Sequence, residues 1–220
     1  MMANGARQSG AIVVVDYGMG NLRSVWQALV RVANGREVLV SANPDVVLAA
    51  ERVVFPGQGA MPDCMREIDQ RGLRAAVLDA ARNKPFLGIC IGQQMLFEHS
   101  DEGDVPGLGI LAGRVRRFPT AGMVDQAGAR LKVPHMGWNE VWQKGGHPLW
   151  TGIADGTRFY FVHSYFVEPA DTACVAATTH HGIHFTSVVA RDNIFALQCH
   201  PEKSSPAGLV MLANFLAWKP

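Results

Sequence analysis

The run Lys84-Pro85-Phe86-Leu87-Gly88-Ile89-Cys90-Ile91-Gly92-Gln93-Gln94 carries a short apolar segment into a helical one through a turn flanked by two glycines. A strand that is apolar at successive positions has to be covered on both faces, and a helix that follows it directly packs back onto the same sheet. The rest of the N-terminal half repeats this scheme. Residues 11–16 form an uninterrupted apolar run, and a helix follows Gly18-Met19-Gly20, with Val25, Leu29 and Val32 at helical spacing and Trp26 beside them. Gly35 ends that pattern and residues 37–40 return to strand. Asn43-Pro44 starts a short helix through Ala50, residues 52–55 make a buried strand, and Pro56-Gly57-Gln58-Gly59 turns out of it. An Ala-rich helix over residues 73–82 feeds the Cys90 strand. Units of this length predict an α/β fold, a mostly parallel central sheet flanked by helices, with its functional loops at the carboxyl ends of the strands.

Past Gly107 the texture changes to short segments rich in aromatics and glycine: residues 114–118, 133–138, 159–162, 174–178, 184–190 and 194–197. Such strands pair antiparallel. Residues 119–130 have no periodicity and read as a surface loop, and a closing helix over 206–218 puts Leu209, Leu212, Phe215 and Leu216 on one face. Residues 1–10 read as a flexible extension and residues 11–220 as one domain, because the two chemical motifs described next fall in different halves.

The turn at Cys90 resembles a nucleophile elbow, which predicts an exposed sulfur. More than a hundred residues later, Ala196-Leu197-Gln198-Cys199-His200-Pro201-Glu202 ends another apolar strand with an imidazole and a carboxylate two residues apart. A thiol is only a few per cent thiolate at neutral pH and needs a base or a helix N-terminus to raise that fraction. The helix starting at Ile91 aims N–H groups at the sulfur, His200 takes its proton, and Glu202 holds the imidazole tautomer. On an extended segment His200 and Glu202 project the same way, with Pro201 fixing the backbone between them. Oxyanion donors are the N–H of Ile91 and the Gly57-Gln58-Gly59 turn. These parts make a Cys-His-Glu hydrolase.

Composition removes other classes. Of 220 residues, 48% are apolar and 18% charged, and the formal net charge is +1. Basic residues are scattered apart from Arg114, Arg116 and Arg117, so nothing marks a nucleic-acid or anionic-membrane surface. Neither a signal peptide nor an apolar run of membrane-spanning length is visible, which reads as a cytoplasmic chain. Cys64, Cys174 and Cys199 lack disulfide or zinc spacing and read as small buried hydrophobes. His180-His181-Gly182-Ile183-His184 reads as an exposed His-rich turn rather than a metal site, and Gly18-Met19-Gly20 lacks the third glycine of a dinucleotide fingerprint. His163-Ser164 reads as structural, lining a pocket or an interface, and Trp138 and Trp142 as core or interface anchors.

Pro56-Gly57-Gln58-Gly59, the Cys90 elbow and His200-Pro201-Glu202 together resemble the triad-type, or class I, glutamine amidotransferases. Asp16-Tyr17-Gly18-Met19-Gly20-Asn21-Leu22-Arg23-Ser24, Pro134-His135-Met136-Gly137-Trp138-Asn139, Phe161-Val162-His163-Ser164-Tyr165 and the extension to Lys203-Ser204 are similar to the glutaminase subunits of imidazole glycerol phosphate synthase. The resemblance covers nearly everything after Gly10. It implies a flavodoxin-like fold, a glutamyl thioester at Cys90, and release of glutamate and of ammonia to a cyclase partner, a (β/α)₈ barrel of histidine biosynthesis. That partner would turn phosphoribulosyl-formimino-AICAR phosphate into imidazole glycerol phosphate and AICAR. It also implies Gln94 against the bound L-glutamine, the segment around Asn21 toward the partner, and no metal or organic cofactor. The chain departs from the family in Ile91, Gln93 and Gln58, where Leu, Met and Val are common. The residues alone leave open a γ-glutamyl hydrolase, the glutamine-hydrolysing component of another synthase, or a non-catalytic binding module that kept the fold.

Overall fold

The computed structural model describes residues 10–119, 121–124 and 128–220; residues 1–9 of the expected extension, and 120 and 125–127 of the expected loop, lie outside the described residues. The N-terminal half runs β1 (Ile12–Val15), α1 (Leu22–Val32), β2 (Val38–Ser41), α2 (Pro44–Ala49), β3 (Arg52–Gly57), α3 (Met61–Gln70), α4 (Arg74–Asn83), β4 (Phe86–Cys90) and α5 (Ile91–Gln94). Short strands follow: β5 (Phe97–Ser100), β6 (Val105–Pro106), β7 (Leu111–Arg117), β8 (His135–Glu140), β9 (Trp142–Gln143), β10 (Arg158–His163) and β11 (Tyr165–Pro169). β12 (Val175–His181), β13 (Ile183–Arg191), β14 (Ile194–Leu197) and α6 (Ser205–Ala217) complete the chain.

β2-β1-β3-β4-β14 are neighbours in that order and all parallel, the 2-1-3-4-5 arrangement of a flavodoxin-like sheet. β13 joins β14 antiparallel and extends the sheet through β11, β7, β5 and β6, with β12 and β9 branching from β13. β8 and β10 form a separate antiparallel ribbon. The short C-terminal segments pair antiparallel with one another as predicted, but β14 is antiparallel only to β13 and runs parallel to β4 on its other side, and β5, ahead of them in the chain, runs parallel to β7.

The two-unit strand repeat sorts the core. Ile12 and Val14 point into the cluster built on Leu29 of α1 and Phe215 of α6, whereas Val13 and Val15 point into the one built on Val47 of α2, Met65 of α3 and Val77 of α4. Each of these large side chains is withdrawn from water, worth about 1.5–3 kcal/mol apiece. The helix start read at Asn43-Pro44 is made, with Asn43 Oδ1 accepting from Asp45 N at 2.9 Å and Pro44 in the first turn, and Asn21, not expected as a cap, closes the start of α1 by accepting from Ser24 N at 3.4 Å.

Sequence periodicity assigns nothing between the Gly59 turn and Leu73, where the structure has α3. Its apolar face, Met61, Cys64, Met65 and Ile68, follows the i, i+3, i+4, i+7 rule but is interrupted by charged residues and begins beside Pro62. Gln93, in place of the apolar residue common in the family, is fully buried, and its Nε2 donates to Ala196 O at 3.1 Å.

Candidate active site

Cys90 closes β4 with φ 57° and ψ −115°, a conformation that costs a residue with a side chain roughly 1–3 kcal/mol. The elbow is this tight because the flanking glycines lack a Cβ. One on Gly92 would lie 1.9 Å from the Phe55 carbonyl oxygen, and one on Gly88 would lie 2.9 Å from Ala196 Cβ. The predicted exposed sulfur needs correction: Cys90 is only 7% exposed, because β14 and α5 close around the turn, and it lines a cavity of about 490 Å³. The helix expected to aim its dipole at the sulfur is also short, with α5 ending at Gln94 after a single turn. Its contribution is local N–H groups rather than a macrodipole.

β14 lies beside β4, with Leu197 opposite Ile89, which carries the following residues to the mouth of the same cavity. His200 Nδ1 meets Glu202 Oε1 at 2.8 Å with both side chains 2% exposed. The local backbone differs from the expectation: residues Pro201–Lys203 form a 3₁₀ turn, not an extended segment, and the turn curls Glu202 back under the imidazole. The His200 N–H donates to Tyr160 O at 2.9 Å, Tyr160 N donates to Ser204 Oγ at 3.0 Å, and Ser204 Oγ donates to His200 O, which ties the turn to β10. His200 Nε2 is buried without an ordinary hydrogen bond and is left to the pull of the Cys90 sulfur. Burial alone would lower the imidazole pKa, but the Cys90 thiolate and then Glu202 outweigh it and raise the value to about 10. The imidazole is thereby favoured in its charged form beside the Cys90 sulfur. Burial pushes the Cys64 thiol up to about 12 and the Cys199 and Cys174 thiols upward as well, in keeping with inert cysteines.

Gln58, Gly59, Ile91 and Gln94 line the cavity with Cys90 and His200. Gly57 does not; it is the end of β3, paired with Cys90, and a Cβ there would lie 1.8 Å from the Tyr17 hydroxyl. The Gln58 carbonyl is turned toward Cys64, whose Sγ donates to it at 3.8 Å. Asn21 lies outside the cavity, exposed at the start of α1.

Three groups escaped the sequence reading. Glu102, in the turn after β5, reaches the cavity while its Oε2 accepts from Met61 N at 2.9 Å. Gln198, fully buried, sends Nε2 to within 3.7 Å of Cys90 Sγ. The third is the linkage of a histidine chain, of which only His163, expected at a pocket or interface and found on the cavity wall, was singled out. His163, on the cavity wall, donates from Nδ1 to Tyr165 O at 2.7 Å, so its Nε2 accepts from His135 Nδ1 at 2.9 Å, and His135 Nε2 in turn accepts from Asn139 Nδ2 at 3.1 Å. Burial holds both rings neutral, with pKa values lowered to about 3 and about 2. The expected exposed His-rich turn is also revised, since His181 is buried and stacks on His135 at 4.0 Å between ring centroids. Position two before His200 is the one available signal for Gln198; nothing local marks Glu102 or the contacts that join His163 to His135.

Among the described residues, no three His, Cys, Asp or Glu side chains are grouped to hold a metal ion, and no helix is long and apolar enough to cross a membrane.

Residues 13–218 match the family model described as glutamine amidotransferase class-I. The chain is 68% identical over 209 residues to the imidazole glycerol phosphate synthase subunit HisH of Dechloromonas aromatica, covering 95% of this chain and 97% of that one. It is 56% identical to the subunit of the same description from Nitrosomonas europaea, covering 96% and 99%. Among solved structures, a Thermoplasma acidophilum protein assigned to GMP synthase shares the fold with a TM-score of 0.65 at 17% identity, over 95% of this chain and 93% of that one. A second, a glutamine amidotransferase, aligns with a TM-score of 0.67 at 17% identity, over 91% and 98%. The chain belongs to the class I glutamine amidotransferases and, within them, to the HisH subunits of imidazole glycerol phosphate synthase.

Proposed function

We propose that this chain hydrolyses the side-chain amide of L-glutamine through a thioester at Cys90, with His200 as proton carrier and Glu202 as its orienting carboxylate. The observation that carries the reading is the convergence of the Cys90 sulfur and the buried His200–Glu202 pair on one cavity. The thiolate attacks the amide carbon, the C–N bond breaks as His200 gives its proton to the leaving nitrogen, and ammonia departs. His200, now neutral, takes a proton from water, the hydroxyl adds to the thioester, and the C–S bond breaks to return thiolate and glutamate. Ile91 N–H and the Gln58–Gly59 turn supply donors to the oxyanion, each worth about 3 kcal/mol in the transition state. Glu102 and Lys203 bring opposite charges to the lining, which suits a zwitterionic amino acid, and Gln94 orients it.

As a member of the HisH family the chain works with a partner subunit. We take that partner to be the cyclase (β/α)₈ barrel, in a cytoplasmic heterodimer that receives the ammonia and makes imidazole glycerol phosphate and AICAR, with the loop at Asn21 toward it. Residues 11–220 act as one domain in this reading.

Glutamate release is measured with and without the barrel and its nucleotide substrate. Strong stimulation in the complete mixture is expected, and Cys90→Ala abolishes glutamine turnover while ammonia-dependent synthesis persists. A Cys90→Ala chain that still releases glutamate refutes the assignment.

A further inference from the structure

A backbone carbonyl has one polarity and cannot be flipped, which makes Tyr165 O the fixed point of the site. It accepts from Gln94 Nε2 at 3.1 Å, so the nitrogen end of that carboxamide, not the oxygen, occupies this position. The same nitrogen gives its second hydrogen to Gln198 Oε1 at 2.9 Å. With its oxygen spoken for, Gln198 turns Nε2 to Cys90 Sγ, 3.7 Å away. Gln198 is 0% exposed and its own N–H donates to Ser187 O at 2.8 Å, so the side chain springs from a pinned backbone and no bulk water competes for its amide.

We propose that Gln198 is a further catalytic residue, an N–H donor to the Cys90 thiolate whose orientation is dictated by the Tyr165 carbonyl through Gln94. A donor favours S⁻ over S–H, because the thiolate accepts strongly and the thiol only weakly. Gln198 therefore eases thiolate formation and holds the sulfur between its amide and His200. Gln94 has two tasks. Both of its hydrogens are spent on Tyr165 and Gln198, which leaves Oε1 to accept from a donor on the ligand, the chemistry of an ammonium group. Ligand recognition and thiol activation thus share one carboxamide. The inference rests on the reading of Cys90 as nucleophile.

The test uses the full chain and its Gln198→Leu, Gln198→Glu and Gln94→Leu variants. The pH dependence of Cys90 alkylation by iodoacetamide is followed on its own peptide by mass spectrometry, with glutamine turnover measured on the same samples. Gln198→Leu moves the alkylation midpoint up by about one pH unit, a tenfold loss of thiolate below the midpoint, or about 1.4 kcal/mol. Gln198→Glu, nearly isosteric, moves it further because an acceptor replaces the donor. Gln94→Leu, which leaves Gln198 in place but unlocked, gives an intermediate shift. A purely structural role would lower the unfolding midpoint and leave the alkylation profile alone. A wild-type midpoint in any folded variant of the three overturns the inference. Full turnover by alkylated wild-type chain would instead overturn the nucleophile assignment, so the two failures are separable.

Discussion

Gly208 ties the closing helix to the catalytic turn, and replacing it with alanine should damage both. A Cβ on Gly208 would lie 1.8 Å from the Pro201 carbonyl oxygen and 2.7 Å from its carbon. Bringing the first contact to 3.0 Å requires a displacement of at least 1.2 Å, and the obstructing atoms are backbone, so no rotamer change relieves it. Alanine in a helix interior is favoured over glycine by about 1 kcal/mol. Overpacking a buried site costs about 1–3 kcal/mol, and rigid backbone on the opposing side places this site at the upper end. The difference predicts a net loss of about 2 kcal/mol in stability. Pro201 sits between His200 and Glu202, so the shift also carries the imidazole out of line, and a misplacement near 1 Å costs about 10²-fold in rate. Urea unfolding and glutamine turnover of Gly208→Ala, in the presence of the partner subunit, check both numbers. Wild-type stability together with wild-type kcat would refute the packing argument. Loss of stability with full activity would show that the turn is held by its Tyr160 and Ser204 bonds alone.

Arg52, buried under the end of α6, donates from Nη1 to Phe215 O at 3.2 Å and Trp218 O at 2.5 Å. Arg52→Met should therefore lose about 2 kcal/mol in urea unfolding, the worth of a partly buried cation at a helix C-terminus, with kcat unchanged; a fall in kcat at equal stability would contradict the assignment. Acid should act through the buried histidines. His135 and His163 titrate near 2 and 3 when folded but near 6.5 when unfolded, so below pH 6.5 the unfolded chain binds two protons that the native one refuses. Their contribution is intact above about pH 6.5 and declines at about 2.7 kcal/mol per pH unit well below it. Burial also lowers His147, to about 4, so it adds its own share to the slope; replacing His135 with Gln should reduce the slope in urea titrations between pH 6 and 4 by about 1.4 kcal/mol per pH unit, one histidine's share, and an unchanged slope would mean that other groups drive the acid transition.

Much of the architecture was legible locally. The apolar runs in β1, β3 and β4, the helix start at Asn43-Pro44 and the glycine-flanked Cys90 turn depend on short-range sterics and on the need to bury apolar residues, which neighbouring residues record. The His-Pro-Glu motif is visible for the same reason, although its backbone is a 3₁₀ turn rather than extended, because both conformations satisfy a proline after the histidine. α3 was missed where charged residues divide its apolar face.

The chemical groups and the strand-helix periodicity that carries them are written along the chain: a thiol at an elbow, an imidazole and a carboxylate after a strand, alternating units before them. Which other groups join them, and which way each faces, is settled only by the folded chain. Gln198 reaches Cys90 across 108 residues of sequence and Gln94 meets the Tyr165 carbonyl across 71. Such meetings follow from the parallel register of β14 on β4 and from the polarity of a single backbone carbonyl. Register and polarity belong to the assembled sheet, because hydrogen-bond direction is fixed only when both partners are in place.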